Sequence, residues 1–249
     1  MVIPLTHRLI AQKGSKLQLI KRTLIQIIIR FVLSVLVISG LLGYMGFCML
    51  SQGMQPIDKA PFVYWTGLDP HNEIYISWES AAETDSFVRY GTDPDNLGYT
   101  LHDVTPVTLH RFHITGLMPD TRYYYQAGPS LTASHDFLSE VQSFRTAPDT
   151  PQEFSVACVS DTQQIFGVGY YNRVAAAIND NLNVSFVINA GDLSQVADDQ
   201  QHWNQFFRES VYLNHIPLVP CPGNHDDIDN PDSKYIKYFG TTANDRDVF

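Results

Sequence analysis

Three apolar runs of strand length, FSVACVS (154–160), SFVINA (185–190) and IPLVP (216–220), alternate with two segments of helical period. In VGYYNRVAAAIND, Val168, Tyr171, Val174, Ala175 and Ile178 fall on one helical face, and DQQHWNQFFRESVY forms the second helix. Near-continuous apolar strands joined by single helices predict parallel βαβ units with helices on both faces of the sheet. Each strand then ends in polar side chains: Ser160-Asp161-Thr162-Gln163, Gly191-Asp192 and Gly223-Asn224-His225-Asp226. The steps from Asp161 to Asp192 and from Asp192 to Asn224 are 31 and 32 residues, one βαβ repeat each. All three groups therefore emerge at the carboxyl edge of one sheet, where open α/β folds bind ligands.

The last group sits in VPCPGNHDD (219–227), where Pro222-Gly223 breaks the strand and places Asn224 and His225 on a tight loop. A lone Gly-Asp carries no information, because loop carboxylates commonly cap neighbouring elements. Three successive strand ends bearing Asp, Gly-Asp and Asn-His-Asp point instead to a metal site built from hard oxygen ligands.

Upstream, residues 56–148 alternate in the manner of strands. EIYISWES puts Ile74, Ile76 and Trp78 on one face, and turn clusters such as DPDN and MPDT separate the runs. This pattern predicts a small all-β sandwich. The piece LMPDTRYYYQA resembles the corner of fibronectin type III domains, in which Leu117 and Tyr123 pack inward and a tyrosine hydroxyl ties back the turn. His110 and His113 lie three apart and so face opposite sides of a strand, which argues for structural roles. Cys158 and Cys221 read as buried thiols, with pairing open if their strands are neighbours.

Net charge is −10, but it is unevenly spread. Arg8, Lys13, Lys16, Lys21, Arg22 and Arg30 precede any acid, leaving 10 basic against 26 acidic residues downstream. That balance argues against binding to nucleic acid backbones. Phe31 to Leu50 is uncharged and long enough to cross a bilayer, so the expectation is a cytoplasmic basic tail at 1–30 and a transmembrane anchor helix at 31–50. The remainder would then face the extracellular or periplasmic side; the alternative is secretion after signal cleavage.

The series SDTQ, AGDLSQ and PGNHD resembles the calcineurin-like metallophosphoesterases, and with the preceding sandwich and RTAP it is most similar to the purple acid phosphatases, which carry a fibronectin III-like domain before the catalytic one. The expected fold class is thus an N-terminal transmembrane helix, an all-β sandwich, and a partial α/β metallophosphoesterase domain at 153–249. The resemblance implies two metal ions (Fe, Mn or Zn) and a phosphate-ester substrate. It also implies that Asp161 and Gln163 bind the first ion, Asp192 bridges both, Asn224 binds the second, and His225, helped by Asp226, protonates the leaving group. Gln163 departs from the family's histidine, and Gln195 from the tyrosine of purple enzymes; Gln195 reads as an exposed loop residue. The family's later histidine motifs have no counterpart before Phe249, so the resemblance implies a fragment that is inactive alone. The competing reading is a non-catalytic surface binding module with a remnant phosphoesterase domain.

Overall fold

The computed structural model describes residues 57–67, 69–130, 138–163, 170–181 and 183–240. The tail and span expected at 1–30 and 31–50 lie outside the described residues. Residues 55–249 form one compact unit.

The strands β1 (Lys59–Tyr64), β2 (Ile74–Gly91), β3 (Tyr99–Ile114), β4 (Arg122–Gly128) and β5 (Gln142–Arg145) are antiparallel neighbours, with β2 paired to β1, β3 and β4. The register of β2 and β3 shifts between Glu79 and Ser86. Below that irregularity β2 lies against β1, and above it against β4, so one long hairpin serves both parts of the β region. Ile74, Ile76 and Trp78 point into a core with Val88, Ile114, Tyr125 and Phe144. The expected corner is present: Leu117 and Tyr123 are buried, and the Tyr123 hydroxyl accepts from Met118 N at 3.0 Å. His110 is fully buried and stacked on Trp78, whereas His113 is exposed and stacked on Tyr75.

The second half runs β6 (Val156–Val159), α1 (Tyr171–Asn181), β7 (Phe186–Asn189), α2 (Gln200–Glu209), a 3-10 turn (Val211–Leu213), β8 (Leu218–Pro220) and α3 (Lys234–Phe239). β6, β7 and β8 are parallel, as their apolar runs predict. Asp199 starts α2 by accepting from Gln201 N at 2.7 Å, the usual work of an N-cap aspartate. One face of α2 buries Trp203, Phe206 and Phe207 in a core shared with Tyr171, Ala175 and Ile178 of α1 and Tyr235, Tyr238 and Phe239 of α3.

Two expectations need correction. The sandwich and separate α/β domain do not describe this fold: the strands join in one mixed eight-stranded sheet of order β5-β4-β2-β1-β8-β7-β6, with β3 on β2. Among the described residues no helix is long and apolar enough to cross a membrane. The joint is β1, which pairs antiparallel with β2 on one side and, through Tyr64 and Leu218, parallel with β8 on the other. Its two faces are both covered, Phe62 and Tyr64 by the helices and Val63 and Trp65 by the β core, so no edge is left for the two halves to separate along.

The second correction concerns the helices. In sheet order β8-β7-β6 both crossovers move in the same direction, and right-handed crossovers then place α1 and α2 on the same face. Their residues indeed share one core. The opposite face carries Val156, Cys158, Phe186 and Ile188 partly open, and β7 separates the two free cysteines.

Candidate metal centre

The carboxyl ends of β6, β7 and β8 are tied to one another through backbone bonds. Asp161 N donates to Gly191 O at 3.0 Å, Gln163 N to Asp192 O at 3.1 Å, and Cys221 N to Asn189 O at 2.8 Å. Asn189, fully buried, adds Nδ2 to Thr162 Oγ1 at 3.1 Å and accepts Gly191 N on Oδ1 at 3.2 Å. The third loop joins when His225 N donates to Asp192 Oδ1 at 3.0 Å. Asp192 is therefore the hub: its main chain holds the first loop and its side chain holds the third.

Two glycines make that approach possible. A Cβ at Gly223 would lie 2.1 Å from Asp192 Oδ1, and one at Gly191 would lie 2.8 Å from Gly223 Cα. Gly191 also has φ of 114°, open to glycine alone at low cost. Asp161 and Asp192 have φ of 52° and 56°, a left-handed conformation that strains non-glycine residues by about 1–3 kcal/mol each. Asp120 and Asp227 share this backbone, so it is a turn conformation that aspartate tolerates, and at Asp161 and Asp192 it sets where the two carboxylates leave the strand ends.

Asp226 is placed differently from its expected role beside His225. It is fully buried, and its carboxylate accepts Leu193 N at 3.2 Å, Ser194 N at 3.0 Å and Gly223 N at 2.8 Å. No hydrogen bond joins it to His225 among the described residues. Burial raises its pKa, the three amides oppose that rise, and the nearby charge of Asp192 adds to it. Asp226 is a staple between the second and third loops.

The partner of His225 is Gln195, which is half-buried rather than an exposed loop residue. The ring Nδ1 lies 3.0 Å from Gln195 O and 3.2 Å from Gln195 Nε2. The carbonyl oxygen only accepts and the amide nitrogen only donates, so the shorter contact suits Nδ1–H and the longer one the other tautomer, and Gln195 holds the ring at Nδ1 in either case. The missed signal was position: Gln195 follows the Gly-Asp turn that faces the His225 loop.

Family models for "Purple acid Phosphatase, N-terminal domain" and "Calcineurin-like phosphoesterase" match residues 60–146 and 154–249. Residues 154–249 are thus similar to the calcineurin-like phosphoesterases, and the segment before them to the N-terminal domain of purple acid phosphatases. An acid phosphatase of Aspergillus ficuum is 36% identical over 132 residues, 45% of this chain and 20% of that protein. The purple acid phosphatase PPD1 from yellow lupin (Lupinus luteus) seeds shares the fold at a TM-score of 0.51 and 19% identity, over 66% of this chain and 35% of that one. A structure titled PhoD does so at 0.52 and 13%, over 69% and 39%. The chain spans well under half the length of each.

The family implies a dinuclear metal centre, and the loops can be tested against it. Asp161 and Asp192 offer carboxylates and Asn224, exposed after Gly223, an amide. Gln163 Oε1 is buried without a hydrogen-bond partner, an arrangement that leaves an acceptor free for a cation. All four donors are oxygen atoms, which suits a hard ion. Among the described residues no three His, Cys, Asp or Glu side chains converge as a metal group. The donor set therefore fits one ion, and a pair would need further ligands.

Proposed function

We propose that this chain forms part of a metal-dependent phosphoesterase that hydrolyses phosphate esters. The observation that carries the reading is the convergence of three strand-end loops on Asp192. Asp161, Gln163 and Asp192 would hold one ion, and Asp192 and Asn224 would contribute to a second that needs further ligands beyond these four. Bound divalent ions supply charge neutralisation at phosphoryl oxygens and lower the pKa of water.

The chain's own residues supply the rest. His225 is half-buried with Nδ1 held at Gln195 O, and its imidazolium form, protonated on both nitrogens, would give the Nε2 proton to a leaving alkoxide and become the neutral ring. Asp226 holds the Gly223–His225 loop against the Gly191–Ser194 turn, so the imidazole and the Asp192 carboxylate keep one spacing.

Two measurements test this. Titration calorimetry of the chain with Mn²⁺ should find one saturable site that disappears in Asp192→Asn; unchanged binding in that variant would remove the centre. In the protein that contains this chain, aryl phosphate hydrolysis should drop about 10²- to 10⁴-fold in His225→Ala with metal content retained. A normal rate would show that the proton donor lies elsewhere.

A further inference from the structure

On the opposite edge of the parallel strands, away from Asp192, lies a cavity of about 860 Å³ between the β4–β5 ends and the segments that enter β6, β7 and β8. Its size is that of a small-molecule site. One end carries Arg122 and Arg145, while Asp120, Asp149 and Glu153 also line the cavity. Arg122 on β4 and Arg145 on β5 are direct cross-strand partners, so their side chains leave the same face side by side. Like charges placed directly opposite are unfavourable. Arg145 is relieved by Asp120, with Nε and Nη2 both 2.9 Å from Oδ1. Arg122 has only a 3.4 Å contact to Ser143 Oγ, and no ion pair among the described residues. His215, on the loop before β8, lines the same cavity. Burial and then the Arg122 guanidinium hold its pKa below the ordinary histidine value, which places the two groups within electrostatic reach.

The other end is aromatic. Phe154 is 63% exposed and stacks on Phe186 with centroids 5.8 Å apart; Phe186 in turn meets the edge of Trp65 at 5.9 Å. The outer ring face of Phe154 is open to the cavity mouth, and a large exposed phenylalanine held by stacking is a platform for another flat ring.

We propose that this cavity is a second ligand site, separate from the metal loops, for a small anionic molecule bearing an aromatic ring: its phosphate or carboxylate meets Arg122, Arg145 and His215, and its ring lies on Phe154. Asp120 already offsets Arg145, so the ligand's charge is left to offset Arg122, whose planar guanidinium can bind an oxyanion through two N–H groups. A bare inorganic anion would use half of the site.

The test uses phenylphosphonate, which carries ring and charge and is not hydrolysed, with the protein kept in EDTA so that the metal loops take no part. Calorimetry should show one site, at least about tenfold tighter than for methylphosphonate, which lacks the ring. Arg122→Gln and Phe154→Ser should each weaken phenylphosphonate at least about fivefold; both residues are exposed, so the fold is kept and circular dichroism checks it. Arg122→Gln should also raise the melting temperature of the ligand-free protein, because it removes the like-charge pair. The proposal fails if phenylphosphonate does not bind at about 10 mM, if methylphosphonate binds equally well, or if neither variant changes the affinity.

Discussion

At the scale of single residues, the site rests on side chains that hold loops rather than on those that face solvent. Asp226→Asn is the sharpest probe. The carboxylate accepts three backbone N–H groups, whereas an amide offers one oxygen and turns an N–H₂ toward a remaining donor. Unfolding by urea should show a loss of about 2–3 kcal/mol, the cost of unpaired buried donors, with secondary structure unchanged. A change under about 0.5 kcal/mol would mean that the three bonds do not hold the loops. Gly223→Ala should be at least as damaging to Mn²⁺ affinity as to stability, since its Cβ would collide with Asp192 Oδ1. The convergence of the three strand-end loops was legible in the sequence because strand ends one βαβ repeat apart must meet at one edge. The roles of Asp226 and Gln195 were not. Nothing in local pattern says which amides a carboxylate will meet some thirty residues earlier, or that Gln195 will meet the ring of His225.

At the scale of elements, the β2–β3 pair buries a histidine whose neutral form the fold requires. His110 Nδ1 lies 2.8 Å from Ser86 Oγ and Nε2 2.8 Å from Ser80 Oγ, in a site with no exposure. Burial lowers its pKa, against weaker opposing contributions from Asp85 and Glu79. The unfolded chain thus binds this proton more readily than the folded one, so stability falls as pH drops through the ordinary histidine value of 6.5 and the depressed folded value below it. Urea midpoints taken from pH 7.5 down to pH 5 should decline, and His110→Gln should flatten that slope; an unchanged slope would assign the proton uptake to another group. Strand and helix identity in this region followed from period alone. Helix placement did not, because the prediction of two covered faces needs the strand order, and it was the order β8-β7-β6 that put α1 and α2 together.

At the scale of the whole molecule, the joint between β1 and β8 converts two expected domains into one body, and buried charge reinforces it. Glu79 of β2 is paired with Lys59 of β1, takes Lys237 Nζ of α3 at 2.9 Å on Oε1, and accepts the Tyr238 hydroxyl at 2.9 Å on Oε2. Arg111 of β3 meanwhile donates to the carbonyls of Lys237 and Gly240 at the end of α3. Burial pushes the Glu79 carboxyl up, but the hydrogen bonds and charges of Lys59 and Lys237 outweigh it and leave its pKa below the usual value. Glu79 therefore contributes stability that is present above its unfolded value and is lost as pH falls through the folded one, in the same direction as His110 but in a more acid window. Because these bonds cross from the β region to the helices, removing one carboxylate should be felt on both sides of the joint. Trp65 and Trp78 report the β core and Trp203 the helical core, so fluorescence of variants retaining one or the other follows each half separately. In the parent chain the two signals should share a single urea midpoint, as one cooperative unit requires. Glu79→Ala leaves buried Lys59 with only the 3.3 Å contact to the exposed carboxylate of Asp58 and should lower stability by about 3 kcal/mol, with both midpoints moving together. If Trp203 instead loses its signal at lower urea while Trp65 and Trp78 keep theirs, the helices are a separate cooperative unit and the β1–β8 pairing does not bind the halves into one.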